Sequence, residues 1–148
     1  MPLRQVALKP LLISLALLAA GPFISAAGAA EPHSIQRWYG DASSATGNSI
    51  AQGDCDVDGD GFSDAVVGAW FWDKAPNNNI GAAYVVFGAE DVEGGDLATP
   101  ADAGAARIDG PNVANAFVGF AVACAGDVNG DGFDDIAISH YTAEKAYI

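Results

Sequence analysis

Two nine-residue loops constrain this chain more than any other feature. The first is Asp56-Val57-Asp58-Gly59-Asp60-Gly61-Phe62-Ser63-Asp64, followed by Ala65-Val66-Val67. The second is Asp127-Val128-Asn129-Gly130-Asp131-Gly132-Phe133-Asp134-Asp135, followed by Ile136-Ala137-Ile138. The loops agree at seven of nine positions and start 71 residues apart, so the chain holds two copies of one unit. Side chains at positions 1, 3, 5 and 9 of such a tight loop can converge on one point. Without a cation among them the clustered carboxylates repel one another. A solvated acidic turn could occur once by chance; two with the same spacing point to a metal.

Calcium takes about six to eight oxygen ligands, carboxylate and carbonyl, and magnesium rarely uses an all-protein cage. The expected donors of the first loop are Asp56, Asp58, Asp60 and Asp64, with the Phe62 carbonyl. Those of the second are Asp127, Asn129, Asp131 and Asp135, with the Phe133 carbonyl. About two calcium ions are expected, one per loop. A helical calcium motif would need a carboxylate at position 12. That position is Val67 in one loop and Ile138 in the other, each inside a strand-like run.

Short strands flank both loops. Phe120 to Cys124 reads as a strand, with a weaker counterpart at Asn48 to Ala51. Ala65 to Val67 and Ile136 to Ile138 are too short for helices, and Tyr84 to Phe87 is a strong strand signal. Residues 90–105 are irregular, and Ala106 to Ile108 fits an edge strand. Four short strands in a unit of about 70 residues suggest a propeller blade. The predicted class is all-β: a signal peptide over 1–30, a lead-in or outer strand over 31–47, one blade over 48–109 and a second, incomplete, over 110–148.

The run from Phe117-Val118-Gly119 through Cys124-Ala125-Gly126 to Asp135 resembles the FG-GAP repeat of integrin α-subunits and related bacterial exported proteins. The first copy resembles it through Gly53-Asp54, the loop, Val66-Val67-Gly68-Ala69 and Gly81 to Gly88. The resemblance implies β-propeller blades, usually seven to a ring, with calcium in the hairpin between the first two strands of some of them. It also implies a non-enzymatic extracellular scaffold for adhesion or ligand recognition, with a protein or carbohydrate partner. Where the family's Gly-Ala-Pro is expected, this chain has Gly68-Ala69-Trp70 and Ser139-His140-Tyr141. Two blades cannot close a ring, and Ile148 falls within an expected third strand. The chain therefore reads as the N-terminal part of a longer protein, or else as a small protein that completes the ring by oligomerising. A rival reading is the propeller part of a larger secreted hydrolase. The chain itself carries no Gly-x-Ser-x-Gly, no His-Glu-x-x-His and no phosphate loop.

The first 30 residues have the order of a secretory signal: Arg4 and Lys9, an apolar run from Leu11 to Ala20, then small residues around Ala27-Gly28-Ala29. Removal of that segment leaves four basic residues against nineteen acidic ones, a net charge of −15. Such a chain repels nucleic acid and anionic membranes, and no later segment is apolar enough for membrane insertion. Nine of the nineteen acids lie in 54–64 and 127–135, which argues for a cation rather than a disordered tail. Cys55 and Cys124 occupy nearly equivalent positions in the two repeats; a disulfide and two buried thiols both fit an exported chain. Trp70, Phe71 and Trp72 could pack or form a binding platform, and His33 and His140 show no ligand-pair spacing.

Overall fold

β3 is five residues long, Ala82–Val86, and every one of them is buried. A strand covered on both faces has no need of alternation, which is why this stretch reads as a continuous apolar run. In the computed structural model, which describes residues 36–51 and 53–148, β3 is central to a four-stranded antiparallel sheet of order β1-β2-β3-β4. Its neighbours are β2 (Ala65–Ala69) and β4 (Ala105–Asp109), and β1 (Ser49–Ile50) lies beyond β2. A second antiparallel sheet is formed by β5 (Val118–Gly126), β6 (Asp135–His140) and β7 (Lys145–Tyr147), in that order. The protein is all-β, with an open pair of sheets arranged as partial propeller blades. Among the described residues the only helical turns are short 3₁₀ segments, Pro100–Ala103 and Tyr141–Ala143. None of their helices is long and apolar enough to cross a membrane. The expected signal peptide and His33 lie outside the described residues.

The repeat holds in register as well as in sequence. Val67 pairs with Tyr84 and Gly68 with Ala83 in the first sheet; Ile138 pairs with Tyr147 and Ser139 with Ala146 in the second. Thus Tyr84 and Tyr147 occupy the same place in successive units. Each acidic loop joins the strands that flank it into a hairpin: β1 to β2 in the first unit, β5 to β6 in the second.

One face of the first sheet packs Ala69, Ala82, Tyr84, Val86 and Ala105 with Trp72, Ile80 and Leu97, and Trp38 closes over them. The opposite face meets the second sheet, where Ala83 packs against Ala116, Val118 and Ile138. Backbone hydrogen bonds zip the approach to β5 onto the approach to β3: Asn115 N–H to Asn78, Phe117 to Asn79 and Val118 to Ile80 carbonyls, at 2.9 to 3.1 Å. Glycines let the backbones meet, and a Cβ at Gly119 would overlap the Ala82 carbonyl.

Two differences from the sequence reading have simple causes. β5 starts two residues before Phe120 and ends two after Cys124, because register shifts between Val118 and Val122 and between Cys124 and Gly126 absorb its glycines. In the lead-in, residues 36–47 contribute one isolated bridge, Tyr39 to Asp96, and no strand. Ser43 and Ala45 have positive φ there, so the segment turns rather than extends.

Candidate metal centre

Each acidic loop is wound by its own backbone around the side chain at position 1. In the first loop, Asp56 Oδ1 accepts the N–H groups of Gly59 at 2.7 Å and Asp60 at 3.1 Å, and its Oδ2 accepts that of Gly61 at 3.0 Å. Asp58 Oδ1 accepts from Asp60, and Asp60 Oδ1 from Phe62. The second loop repeats this bond for bond. Asp127 gathers Gly130, Asp131 and Gly132; Asn129 Oδ1 accepts from Asp131, and Asp131 Oδ1 from Phe133. At position 9 the match continues, since Asp64 Oδ2 accepts from Val57 and Asp135 Oδ2 from Val128. Short polar side chains that bond to backbone N–H groups a few residues on are the physics of Asx turns. Gly61 and Gly132, with φ of +89° and +96°, supply the left-handed backbone that closes each turn.

This winding brings Asp56, Asp58 and Asp60 together, each with a carboxylate oxygen within 4.8 Å of the others'. The set consists of hard oxygen donors, which suit a hard cation such as calcium, magnesium or manganese. The Asp58 carboxyl is raised above its usual 3.8, by desolvation first and then by the charges of Asp60, Asp64 and Asp56, against the favourable Asp60 amide. A cation would relieve that repulsion. Asp64 is placed differently. It is buried, and besides Val57 it accepts the Gly88 N–H on Oδ1 at 2.8 Å, tying the loop to the chain just after β3. In the second loop Asn129 replaces one charge, and its Nδ2 donates to Asp135 Oδ1 at 3.3 Å. The Phe62 and Phe133 side chains are about half exposed.

Of two further features of the site, the sequence left one open and missed the other. Cys55, which immediately precedes the first loop, is disulfide-bonded to Cys124 on β5, where either pairing or free thiols had been open. Asp134, at position 8 of the second loop, reaches the first loop: its Oδ2 accepts the Asp56 N–H at 3.0 Å. The only signal for Asp134 was that position 8 is one of two places where the loops differ.

The aromatic run divides. Trp72 is buried and donates its indole N–H to Asp41 at 2.8 Å, with the Arg107 guanidinium 4.2 Å from its ring centroid. Trp70 stacks on Phe71 and also meets Phe117 and Phe120 of the second unit, so these rings fasten the sheets together. His140 is buried, with Nδ1 2.9 Å from the Tyr147 hydroxyl.

Comparison with known proteins agrees with this architecture. Residues 120–143 match the family model of the FG-GAP repeat. The chain is 38% identical over 93 residues to integrin alpha pat-2 of Caenorhabditis briggsae. That alignment takes in 63% of this chain and 7% of the relative, so the chain spans only a small part of that protein. The chain thus carries an FG-GAP repeat at residues 120–143, and over the aligned stretch it is similar to an integrin α-subunit.

Proposed function

We propose that this chain is an exported, calcium-binding scaffold that serves ligand recognition or adhesion outside the cell and has no catalytic role. The observation that carries the reading is the identical winding of both acidic loops around Asp56 and Asp127. Amides occupy one side of each donor set and leave other carboxylate lone pairs for a cation. The donors would be Asp56, Asp58, Asp60, Asp64 and the Phe62 carbonyl in one loop. In the other they would be Asp127, Asn129, Asp131, Asp135 and the Phe133 carbonyl. Calcium there cancels the repulsion between carboxylates and stiffens the hairpin; it takes part in no reaction.

Likeness to an integrin α-subunit supports an extracellular or cell-surface setting and a protein or carbohydrate partner. The disulfide suits an oxidising compartment, and the apolar run from Leu11 to Ala20 suits export. Extracellular calcium modules bind at about 10⁻⁴ to 10⁻³ M, so the loops would be filled outside the cell and empty within it.

Equilibrium dialysis of the full chain against calcium, read by elemental analysis, tests the metal. Two ions per chain are expected, with magnesium a poor substitute, and no uptake would overturn the assignment. The recognition arm is tested on glycan and matrix-protein arrays with and without a chelator. Retention that the chelator abolishes supports it, and no retention in either condition removes it.

A further inference from the structure

The two acidic loops are joined by a residue whose spacing excludes it from both donor sets. Asp134 stands between Phe133 and Asp135, two expected donors of the second loop, yet both its side chain and its backbone engage the first. Its Oδ2 accepts the Asp56 N–H at 3.0 Å, and its own N–H donates to the Asp56 carbonyl at 2.9 Å. This two-point clamp holds the backbone of the residue around which the first loop is wound. The neighbouring ring of Phe133 lies over Gly59: a Cβ built there would come 2.8 Å from Phe133 Cε1. The Cys55–Cys124 bridge fixes the chain directly before Asp56 to β5 of the second unit. The equivalent of Asp134 in the first loop is Ser63, so the two loops are not equal partners at this position.

We infer that Asp134 is a positioning residue for the cation of the first loop, and that the order of the second loop sets the first loop's affinity. The inference rests on the calcium reading given above. Filling the second loop fixes the Phe133 carbonyl and Asp135, and Asp134 between them is then held in its clamping position. A first loop whose Asp56 is already fixed loses less freedom on taking an ion. Because linkage is reciprocal, an ion in the first loop strengthens the second by the same factor.

The test is calcium titration by calorimetry on the full chain. D60A isolates the second site, and the first is read with the second loop filled, from the two-step titration of the otherwise unsubstituted chain; each is compared with and without Asp134→Ser, the residue the first loop carries at that position. The expected result is a first site weakened about tenfold by Asp134→Ser, as for loss of one hydrogen bond. The second site should stay within about twofold, which also shows that the second loop still folds. Asp134→Asn keeps an acceptor oxygen and should restore most of the first site's affinity. An unchanged first site overturns the inference, as does equal weakening of both sites. Failure of Asn to restore binding also overturns it, since charge alone would then be at work. If the unsubstituted chain takes up no calcium at either loop, the calcium reading falls and the inference with it.

Discussion

Gly68 on β2 and Gly119 on β5 meet across the junction of the two sheets so closely that a methyl group on Gly68 would overlap the Gly119 carbonyl oxygen. The same methyl would strike Ser49 Oγ, which donates to that carbonyl at 2.9 Å. Neither backbone can retreat alone, because β2 is hydrogen-bonded to β1 and β3, and β5 to β6. Gly68→Ala should therefore part the sheets and lower stability by about 1 to 3 kcal/mol, the usual cost of overpacking. A urea melt of the variant measures it, and an unshifted midpoint would contradict this packing.

The Cys55–Cys124 bridge spans 69 residues of sequence and connects the two units. Closing a loop of that length restricts the unfolded chain by about 4 kcal/mol in the chain-entropy account. Cys55→Ser and Cys124→Ser should each lose most of that, and the double variant little more, because either change removes the same bond. Denaturant midpoints with and without a reductant give the comparison. Protein made under oxidising conditions should show no reactive thiol when unfolded, and two after reduction.

Asp64 is buried and accepts two amides, Val57 N–H within the loop and Gly88 N–H beyond β3, at 2.8 Å each. Asp64→Ala leaves both donors, which are partly buried, without an acceptor and should cost roughly 1 kcal/mol for each. The loss should persist in a chelator, because these bonds need no metal. A variant as stable as the parent without calcium would show that Asp64 acts only as a cation donor.

The architecture was legible because its strongest signals are local. An acidic loop followed by a β-branched run fixes a hairpin, and the same loop 71 residues later fixes the repeat. The Asx-turn winding follows from residue type and spacing, so the convergence of Asp56, Asp58 and Asp60 could be read from the sequence. β5 was harder to bound. Gly119 and Gly126 look like strand breakers in sequence, whereas in the sheet both sit at irregular pairings, and Gly119 also at a close backbone approach. Least legible were relationships between units. Asp134 reads as one more charge in an acidic run, since its partner Asp56 is 78 residues away. The choice between a disulfide and free thiols depended on how two blades sit together, which no local pattern encodes. Trp72 could be placed in the core only once Asp41 and Arg107 had been brought to it.

Asp109, at the end of β4, accepts from Lys74 Nζ at 2.8 Å and from Arg107 Nε at 2.7 Å. Desolvation works to raise its carboxyl, but the hydrogen bonds and charges of Lys74 and Arg107 prevail and hold it below the usual 3.8. A carboxyl depressed in the folded state binds its proton more readily when the chain unfolds. Its stabilising contribution is therefore complete above the unfolded value and disappears as the pH falls through the lower folded value. Asp109→Asn should lower stability by roughly 1 kcal/mol near pH 6, a modest figure because Lys74 is half exposed. The gap between variant and parent should narrow steadily as the pH falls below about 4. Urea midpoints of both proteins across that range provide the measurement, and a gap that stays constant or widens in acid would show that Asp109 stabilises the fold by packing rather than by charge.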